Sequence, residues 1–538
     1  MATTAVRRTS WRVACLVVAT LAVACSGGDG SRTSEEGASD SPSTGSPVAG
    51  SPCPEGDPLE VAAGSKVRWT LDCEGTVNVT GSVSAHDLNG DGVDDPAIQV
   101  LDDDGEWRVS AFDGASGGHL WTSETTAPMI TVAPAADLDG DDVADLLVAG
   151  RGVPDDDRPL VAISGRNGAT LWRVEPLDPA WRNVYTPQAI GDVDDDDVAD
   201  WVVVTSGDQL RGPDDPPTVA ARLMAISGVD GSVSATVSLP AAQESYNSPI
   251  VLGAGSDATV LVGSGGEVFP GAFWRLPVAS LLAEDPSGFQ QLLDGGTSSF
   301  IAPASAGDIV GDGGSTVAVM RVDGVLSLLD PVTGEVRWQR SVPGAGTGGA
   351  GGDATVAVSY VAPALGQLDA DPALEIVTMS TVMSAQQLAS GSYLEGTAQV
   401  HVHDGATGEL EHRRDVGATD TAASPLILAA GGRVGVVCGC VSVPPDPDAG
   451  RPGATRLGWW EPDSDLLIDL GLPLSETMTP AVGDADNPLL FSGGELSFGS
   501  TESRRTFTAT QLVIDGAPVV AAPWGAYMGS DNTGRAEP

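Results

Sequence analysis

Apolar residues run along this chain in short bursts. Pro96-Ala-Ile-Gln-Val100, Leu146-Leu-Val-Ala149 and Trp201-Val-Val-Val204 are four or five residues long, and each is preceded by Asp. Bursts of that length suit strands and are too short for helices, which need about 10–12 residues. Apolar strands open successive units near Ser82, Val132, Pro187, Ser248, Ile301, Val361, Ala423 and Thr479. The spacing is roughly 50–60 residues, with about four short strands in each interval. Such a unit cannot bury both faces alone, so it must stack on its neighbours as a propeller blade does. The pattern predicts an all-β chain whose residues 53–538 form one β-propeller of about eight four-stranded blades. The fourth and seventh units are recognised by strand pattern alone, so seven blades remains open.

Two polar patterns alternate with the strands. One is an acidic loop leading into an apolar strand: Asp87-Leu-Asn89-Gly-Asp91-Gly-Val93-Asp-Asp95, Asp137-Leu-Asp139-Gly-Asp141-Asp-Val143-Ala-Asp145 and Asp192-Val-Asp194-Asp-Asp196-Asp-Val198-Ala-Asp200. Worn copies occur at Asp308–Asp312, at Gln367-Leu-Asp369-Ala-Asp371 with Glu375, and at Asp484-Ala-Asp486. The other pattern is a turn with Gly four residues after its first residue: Asp113–Gly117, Ser164–Gly168, Ser227–Gly231, Asp330–Gly334 and Asp404–Gly408. Gly there suits a positive φ, and Asp or Ser suits a turn start. Trp121, Trp172 and Trp338 each follow such a Gly by four residues and put a large apolar side chain on the next strand. Lys66-Val-Arg-Trp69 looks like the outer strand Val336-Arg-Trp338 but precedes the first complete unit, while the last unit lacks an outer strand. The ring is therefore expected to close by lending this N-terminal strand to the last blade, which leaves no open edge.

The acidic-loop units resemble FG-GAP/VCBS repeats, the calcium-loop blades of integrin α-chain heads and many bacterial surface proteins. The Asp/Ser-Gly-x-x-Gly…Trp units resemble pyrroloquinoline-quinone-like propeller repeats, and Pro523-Trp524 through Asp531-Asn-Thr-Gly534 resembles a segment that ends such propellers. The resemblance covers most of residues 60–535 and speaks to fold more than to function.

Asp or Asn at loop positions 1, 3, 5 and 9 sets hard oxygens around one point, and the carbonyl at position 7 adds another. That is calcium chemistry, because Ca²⁺ takes six to eight oxygen ligands in flexible geometry. About three structural Ca²⁺ sites are expected: Asp87, Asn89, Asp91, Val93 and Asp95; Asp137, Asp139, Asp141, Val143 and Asp145; Asp192, Asp194, Asp196, Val198 and Asp200. The worn loops are read as metal-free acidic turns. Val310 and Thr316 replace ligands in one, and Gln367 replaces the first ligand in another.

The N-terminus reads as an address. Residues 1–24 carry Arg7, Arg8 and Arg12, no acid, and an apolar run from Val13 to Ala24 that is short for a membrane span. The run ends Leu21-Ala-Val-Ala-Cys25-Ser-Gly, which resembles a bacterial lipobox in which Cys25 is lipidated; an ordinary secretory signal is the alternative. Residues 25–52, rich in Ser, Gly and Pro, form a tether with a root-mean-square span of roughly 30 Å. The expected location is the extracytoplasmic face of the cell membrane, with a lipid anchor at Cys25. Of the remaining cysteines, Cys53–Cys73 is the preferred bridge. Cys438 and Cys440 point the same way from one strand, and a structural role is preferred over a redox or metal role.

Composition narrows the function. There are 74 Asp plus Glu against 26 Lys plus Arg, a formal net charge of −48, and Lys66 is the only lysine. That balance excludes a nucleic-acid partner, because phosphate recognition needs a basic face. It also weighs against anionic polymers. No Gly-x-Ser-x-Gly elbow, Walker loop or Cys/His zinc pattern occurs. His401 and His403 stand two apart on a strand beside Asp404, with no third imidazole or cysteine to complete a metal set, and His412 takes the place of a repeat Trp. The expectation is a monomeric, non-catalytic binding, adhesion or scaffolding module with an unknown protein or glycan ligand on a propeller face or at the channel mouth. The alternative is a propeller enzyme, either a quinone-dependent dehydrogenase or a polysaccharide lyase.

Overall fold

The computed structural model describes residues 51–57, 59–73, 84–101, 106–126, 129–150, 159–174, 183–207, 219–266, 269–343, 355–384, 397–416, 423–443, 454–474, 479–483, 488–497, 503–524, 526–528 and 533–536. The signal segment, Cys25, nearly all of the tether, the acid pair Asp484/Asp486 and the insertions at 151–158 and 208–217 lie outside them.

Eight antiparallel sheets follow one another along the chain. The first blade is Ser84–His86, Asp95–Leu101, Trp107–Phe112 and His119–Thr126. The second is Met129–Pro134, Leu146–Gly150, Leu160–Ile163 and Thr170–Arg173. The third is Gln188–Gly191, Asp200–Thr205, Arg222–Ile226 and Val233–Ser238. The opening strands of the first and second, third and fourth, fifth and sixth, and sixth and seventh blades touch, and Ser84–His86 touches Ala481–Val482 of the last blade, so these strands line the centre of a closed ring. The N-terminal strand Lys66–Cys73 pairs with Ser503–Gln511 as the outer strand of the eighth blade, Lys66 opposite Gln511 and Cys73 opposite Arg505. The molecule is thus an eight-bladed β-propeller closed by strand sharing, and the seven-blade alternative falls away.

The second and third strands of a blade are buried on both faces and apolar, as in Leu146–Gly150, Leu160–Ile163 and Asp200–Thr205, whereas outer strands such as Val336–Ser341 and Leu410–Asp415 are mostly exposed. Leu147, Ala149, Leu160, Ala162 and Trp172 of the second blade pack on Trp201, Val203, Met224 and Ile226 of the third. The alternate residues Leu146, Val148, Val161 and Ile163 pack back on Ala97, Val109, Ala111 and Trp121 of the first. The repeat Trp residues do more than fill space. Trp69, Trp121, Trp172 and Trp338 each donate an indole N–H to the carbonyl of the second turn residue of the following blade: Gly114, Gly165, Gly228 and Gly405, at 2.7–2.9 Å. The last turn Gly lies on the ring of the same Trp; a Cβ on Gly168 or Gly231 would come within 2.5 Å of it. Trp69 makes this contact across the join between the last blade and the first, so the borrowed strand locks the ring as well as completing a sheet.

Some features depart from the repeat. In the fourth blade a short helix, Val278–Leu282, precedes the outer strand Gln290–Asp294. The sixth blade adds Thr355–Val358 beside the far half of its long strand Glu375–Ser384. The C-terminal segment takes an unexpected course. Ala517–Trp524 pairs antiparallel with Leu426–Ala430, the opening strand of the seventh blade. Arg535 then pairs parallel with Ala306 in the opening strand of the fifth. Trp524, Tyr527 and Met528 are buried in one core with Ile250, Ala306, Ala364, Leu365 and Ile427 from four opening strands. The chain's own end therefore runs along the inner wall of the ring. Cys53 and Cys73 are joined, with Cα atoms 4.4 Å apart, and Cys438 and Cys440 stand side by side with Cα atoms 5.1 Å apart.

Candidate metal centres

Each acidic loop links the first and second strands of its blade, and its geometry follows from its residue types. The carboxylate at position 1 caps the loop's own backbone. Asp87 accepts N–H bonds from Gly90, Asp91 and Gly92 at 2.7–3.1 Å. Asp137 does the same with Gly140, Asp141 and Asp142, and Asp192 with Asp195, Asp196 and Asp197, at 2.7–3.2 Å. Position 5 accepts from position 7: Val93 donates to Asp91, Val143 to Asp141 and Val198 to Asp196, at 2.8–2.9 Å. The chain curls because positions 4 and 6 are left-handed. These are Gly90 and Gly92, Gly140 and Asp142 (φ 66°), and Asp195 and Asp197 (φ 65° and 70°). Asp is among the few side-chain-bearing residues that adopt this conformation readily.

The ninth residue is the structural anchor. Asp95, Asp145 and Asp200 are buried, and each accepts a backbone N–H from the loop (Leu88, Leu138 and Val193, at 2.6–2.9 Å), Asp95 taking that of Asn89 as well at 3.1 Å. Each also takes one from the N–H of the second turn Gly (Gly114, Gly165 and Gly228, at 2.8–3.1 Å). That Gly is the residue whose carbonyl holds the Trp of the preceding blade. A Cβ there would meet the backbone carbonyl of Asp94, Ala144 or Ala199 at 1.9–2.1 Å, so only Gly fits. Sequence reasoning recognises the acidic loop and the Trp turn as separate repeats. Their union through one Gly is visible only once they are folded together.

The carboxylates converge. Asp137, Asp139 and Asp145 bring oxygens within 4.8 Å of one another, as do Asp192, Asp194 and Asp200. In the first loop Asn89 stands in for the middle acid, and its side-chain amide donates to Asp95 at 3.3 Å. Burial pushes Asp95 up to about 7 and Asp145 up to about 6, with neighbouring carboxylates adding to the effect. Burial and then adjacent acids also raise Asp139 and Asp194. Burial works on Asp137 and Asp192 too, but the N–H groups each accepts outweigh it and hold both below the ordinary value. A site of this kind gathers negative charge that a cation would relieve, and its donors are the carboxylate, amide and carbonyl oxygens that Ca²⁺ prefers. Arg166 pairs with the outer oxygen of Asp141 at 2.7 Å, on the rim of the second loop.

The worn loops divide into two kinds. In the fifth blade Asp308 still caps Asp312 and Gly313, but Arg337 bonds Asp312 at 2.9 Å, so a guanidinium supplies the positive charge. In the sixth blade Asp369, Asp371 and Glu375 converge within 4.8 Å as the intact loops do. Burial pushes Glu375 up to about 7, with help from the charges of Asp369 and Glu411.

His401 and His403 are buried, and burial pushes them down to about 3 and 4, so both imidazoles are neutral. His412, in the place of a repeat Trp, faces Asp463 at 3.2 Å.

No family model matches the sequence, and no curated protein matches it. Among solved structures the chain is similar to the quinohemoprotein alcohol dehydrogenase ADHIIG of Pseudomonas putida HK5, with 11% identity, coverage of 83% of this chain and 76% of that one, and a TM-score of 0.49. It is also similar to BamB of Moraxella catarrhalis, with 13% identity, 83% and 100% coverage, and a TM-score of 0.45. A third is the exotype rhamnogalacturonan lyase YesX, with 14% identity, 84% and 75% coverage, and a TM-score of 0.44. An alcohol dehydrogenase, BamB and a rhamnogalacturonan lyase stand side by side here. Likeness at this level carries no function to the chain, and the eight blades rest on the sheet topology itself.

Proposed function

We propose that this protein is a lipid-anchored, extracytoplasmic, calcium-stabilised β-propeller that serves as a binding or scaffolding module. The observation that carries the reading is the union of loop, turn and seam in three consecutive blades. Carboxylates converge in the second and third loops, and in all three loops the ninth residue binds the Gly that holds the preceding blade's Trp. Calcium supplies positive charge to these loops when bound. The residues of the chain do the rest: Asp87, Asp137 and Asp192 shape the loops, and Asp95, Asp145 and Asp200 tie them to the ring. Cys25 and the tether would hold the ring about 30 Å from a membrane. The C-terminal segment lines the inner wall beside the fifth and seventh blades, which favours a propeller face over the channel as the place for a ligand.

The direct test is thermal melting with millimolar Ca²⁺ and with a chelator. A site at 100-fold saturation contributes about 2.7 kcal/mol. Three sites should therefore lower Tm by several degrees on chelation, and an unchanged curve would sink the calcium reading. A pull-down from native cell envelope with and without Ca²⁺ addresses the binding role; recovery of nothing under both conditions would count against it.

A further inference from the structure

We infer that the sixth blade holds a fourth cation site, built from Asp369, Asp371 and Glu375, in a loop that the sequence pattern marks as degenerate. The loop keeps the cage of the intact ones except at one corner. Asp371 N–H donates to Asp369 at 2.8 Å, Ala373 N–H donates to Asp371 at 2.7 Å, and Leu368 N–H donates to Glu375. These are the bonds made by the corresponding residues of the first loop.

The missing corner is position 1, and two substitutions there belong together. In the intact loops the position-1 carboxylate accepts an N–H from position 6. Position 6 here is Pro372, which has no N–H. Gln367, at position 1, instead turns its side-chain amide to donate to the carbonyls of Asp371 and Asp369. The first acid is thus lost because its backbone partner is gone, and the loop stays folded by other means.

The ninth position carries the second observation. Asp95, Asp145 and Asp200 spend both oxygens on backbone N–H groups. Glu375, one methylene longer, is fully buried and uses only one; its Oε1 has no partner. An ionised oxygen left alone in the interior is strongly unfavourable. The carboxylate of Glu375 lies within 4.8 Å of those of Asp369 and Asp371. Among the described residues no Arg, Lys or His pairs with these three acids, whereas Arg337 answers Asp312 in the fifth blade. The geometry asks for a cation where the fifth blade has a guanidinium. A longer carboxylate with a free oxygen offers two-oxygen ligation in place of the lost first ligand, and hard oxygens select Ca²⁺ over softer metals.

The inference rests on the calcium reading of the three intact loops, and the experiment separates the two. Bound ⁴⁵Ca²⁺ is counted by equilibrium dialysis on the intact exported protein and on Glu375→Gln, Asp371→Asn and Asp145→Asn. Four ions in the parent and three in each variant is the expected result. Asp371 is exposed, and Asn keeps the oxygen that accepts from Ala373, so this variant reports on the site even if Glu375→Gln disturbs the core. A parent count that neither Glu375→Gln nor Asp371→Asn reduces, while Asp145→Asn does, overturns the fourth site and leaves the other three. A count of zero in the parent overturns both.

Discussion

Replacing Trp172 tests whether the seams hold the ring together in the way the contacts imply. The side chain is 7% exposed, and its indole N–H donates to Gly228 at 2.7 Å. A buried Trp covers about 150–250 Å², and truncation of such a residue to Ala costs about 3–5 kcal/mol. The loss of the hydrogen bond, which strands the Gly228 carbonyl, adds about 1 kcal/mol. A ring of roughly 490 residues unfolds with an entropy near 1 kcal/mol/K at about 2.1 cal/mol/K per residue. Trp172→Ala should then lower Tm by about 4–6 °C in a calorimetric scan. Trp172→Phe keeps most of the burial and should cost about 1–2 °C. Gly231 gives an internal control, because its φ is 72° and a Cβ there would sit 2.5 Å from the Trp172 ring. Gly231→Ala should be severe when Trp172 is intact and milder in the Trp172→Ala background, where only backbone strain remains. Strict additivity of the two substitutions, within about 0.5 kcal/mol, would refute the stacked contact. So would equal costs for the Ala and Phe variants, since burial would then not be the larger part.

Protonation, a buried indole and the C-terminal strand each give a further test. Asp95 and Asp145 have folded-state values raised to about 7 and about 6 by burial, so the native chain binds protons more tightly than the unfolded one between about pH 4 and 7. Chelated protein should accordingly melt higher at about pH 5 than at about pH 7.5, with the stabilisation present at low pH and lost as pH rises; a flat profile under chelation would contradict the crowding of these loops. Trp524 is fully buried, but its indole N–H has no partner, so Trp524→Phe should leave Tm unchanged or raise it, the opposite of Trp172→Phe. Ending the chain after Gln511 would strip Leu426–Ala430 of the strand it pairs with, and the truncated protein should bind a hydrophobic dye and lose several degrees of Tm; full stability would mean that the inner-wall segment does not support the ring.

The ring is legible in the sequence because its information is local and repeated. Strand bursts, Gly-ended turns and acidic loops are each short, and Lys66-Val-Arg-Trp69 announces the closure by matching Val336-Arg-Trp338. What is not legible depends on contacts between distant residues. Ala517–Trp524 is an apolar stretch like any other strand, and nothing in it says that its partner is Leu426–Ala430 instead of another strand of its own blade. The second turn Gly can be read as a turn former, but its real constraint is the Ala144 or Ala199 carbonyl 1.9–2.1 Å from where a Cβ would be. In the sixth loop, Gln367 reads as decay when position 1 is judged alone. Pro372 explains it, and the consequence falls on Glu375 at the far end of the loop.

The placement of the loops shapes how the ring would respond to cations held there. Asp95, Asp145 and Asp200 each hold a Gly whose carbonyl binds the Trp of the blade before: Trp69 of the eighth, Trp121 of the first and Trp172 of the second. Three consecutive seams are therefore tied to acidic loops, and one of them is the closure itself. The seam between the fifth and sixth blades has the same Trp bond, from Trp338 to Gly405. Its Glu375, however, spends no oxygen on Gly405 and leaves Oε1 free. Relaxing the intact loops should loosen the first three seams while that one keeps its lock. Hydrogen exchange under chelation is the measurement. Faster exchange should appear first in the turns at 113–118, 164–169 and 227–232 and in the strand Lys66–Cys73, with the turn at 404–409 changing less. Equal acceleration around the whole ring would mean that the loops stabilise the propeller only through its overall charge. With a net −48 on the chain that is the rival explanation to exclude, and it alone predicts that monovalent salt would substitute for Ca²⁺.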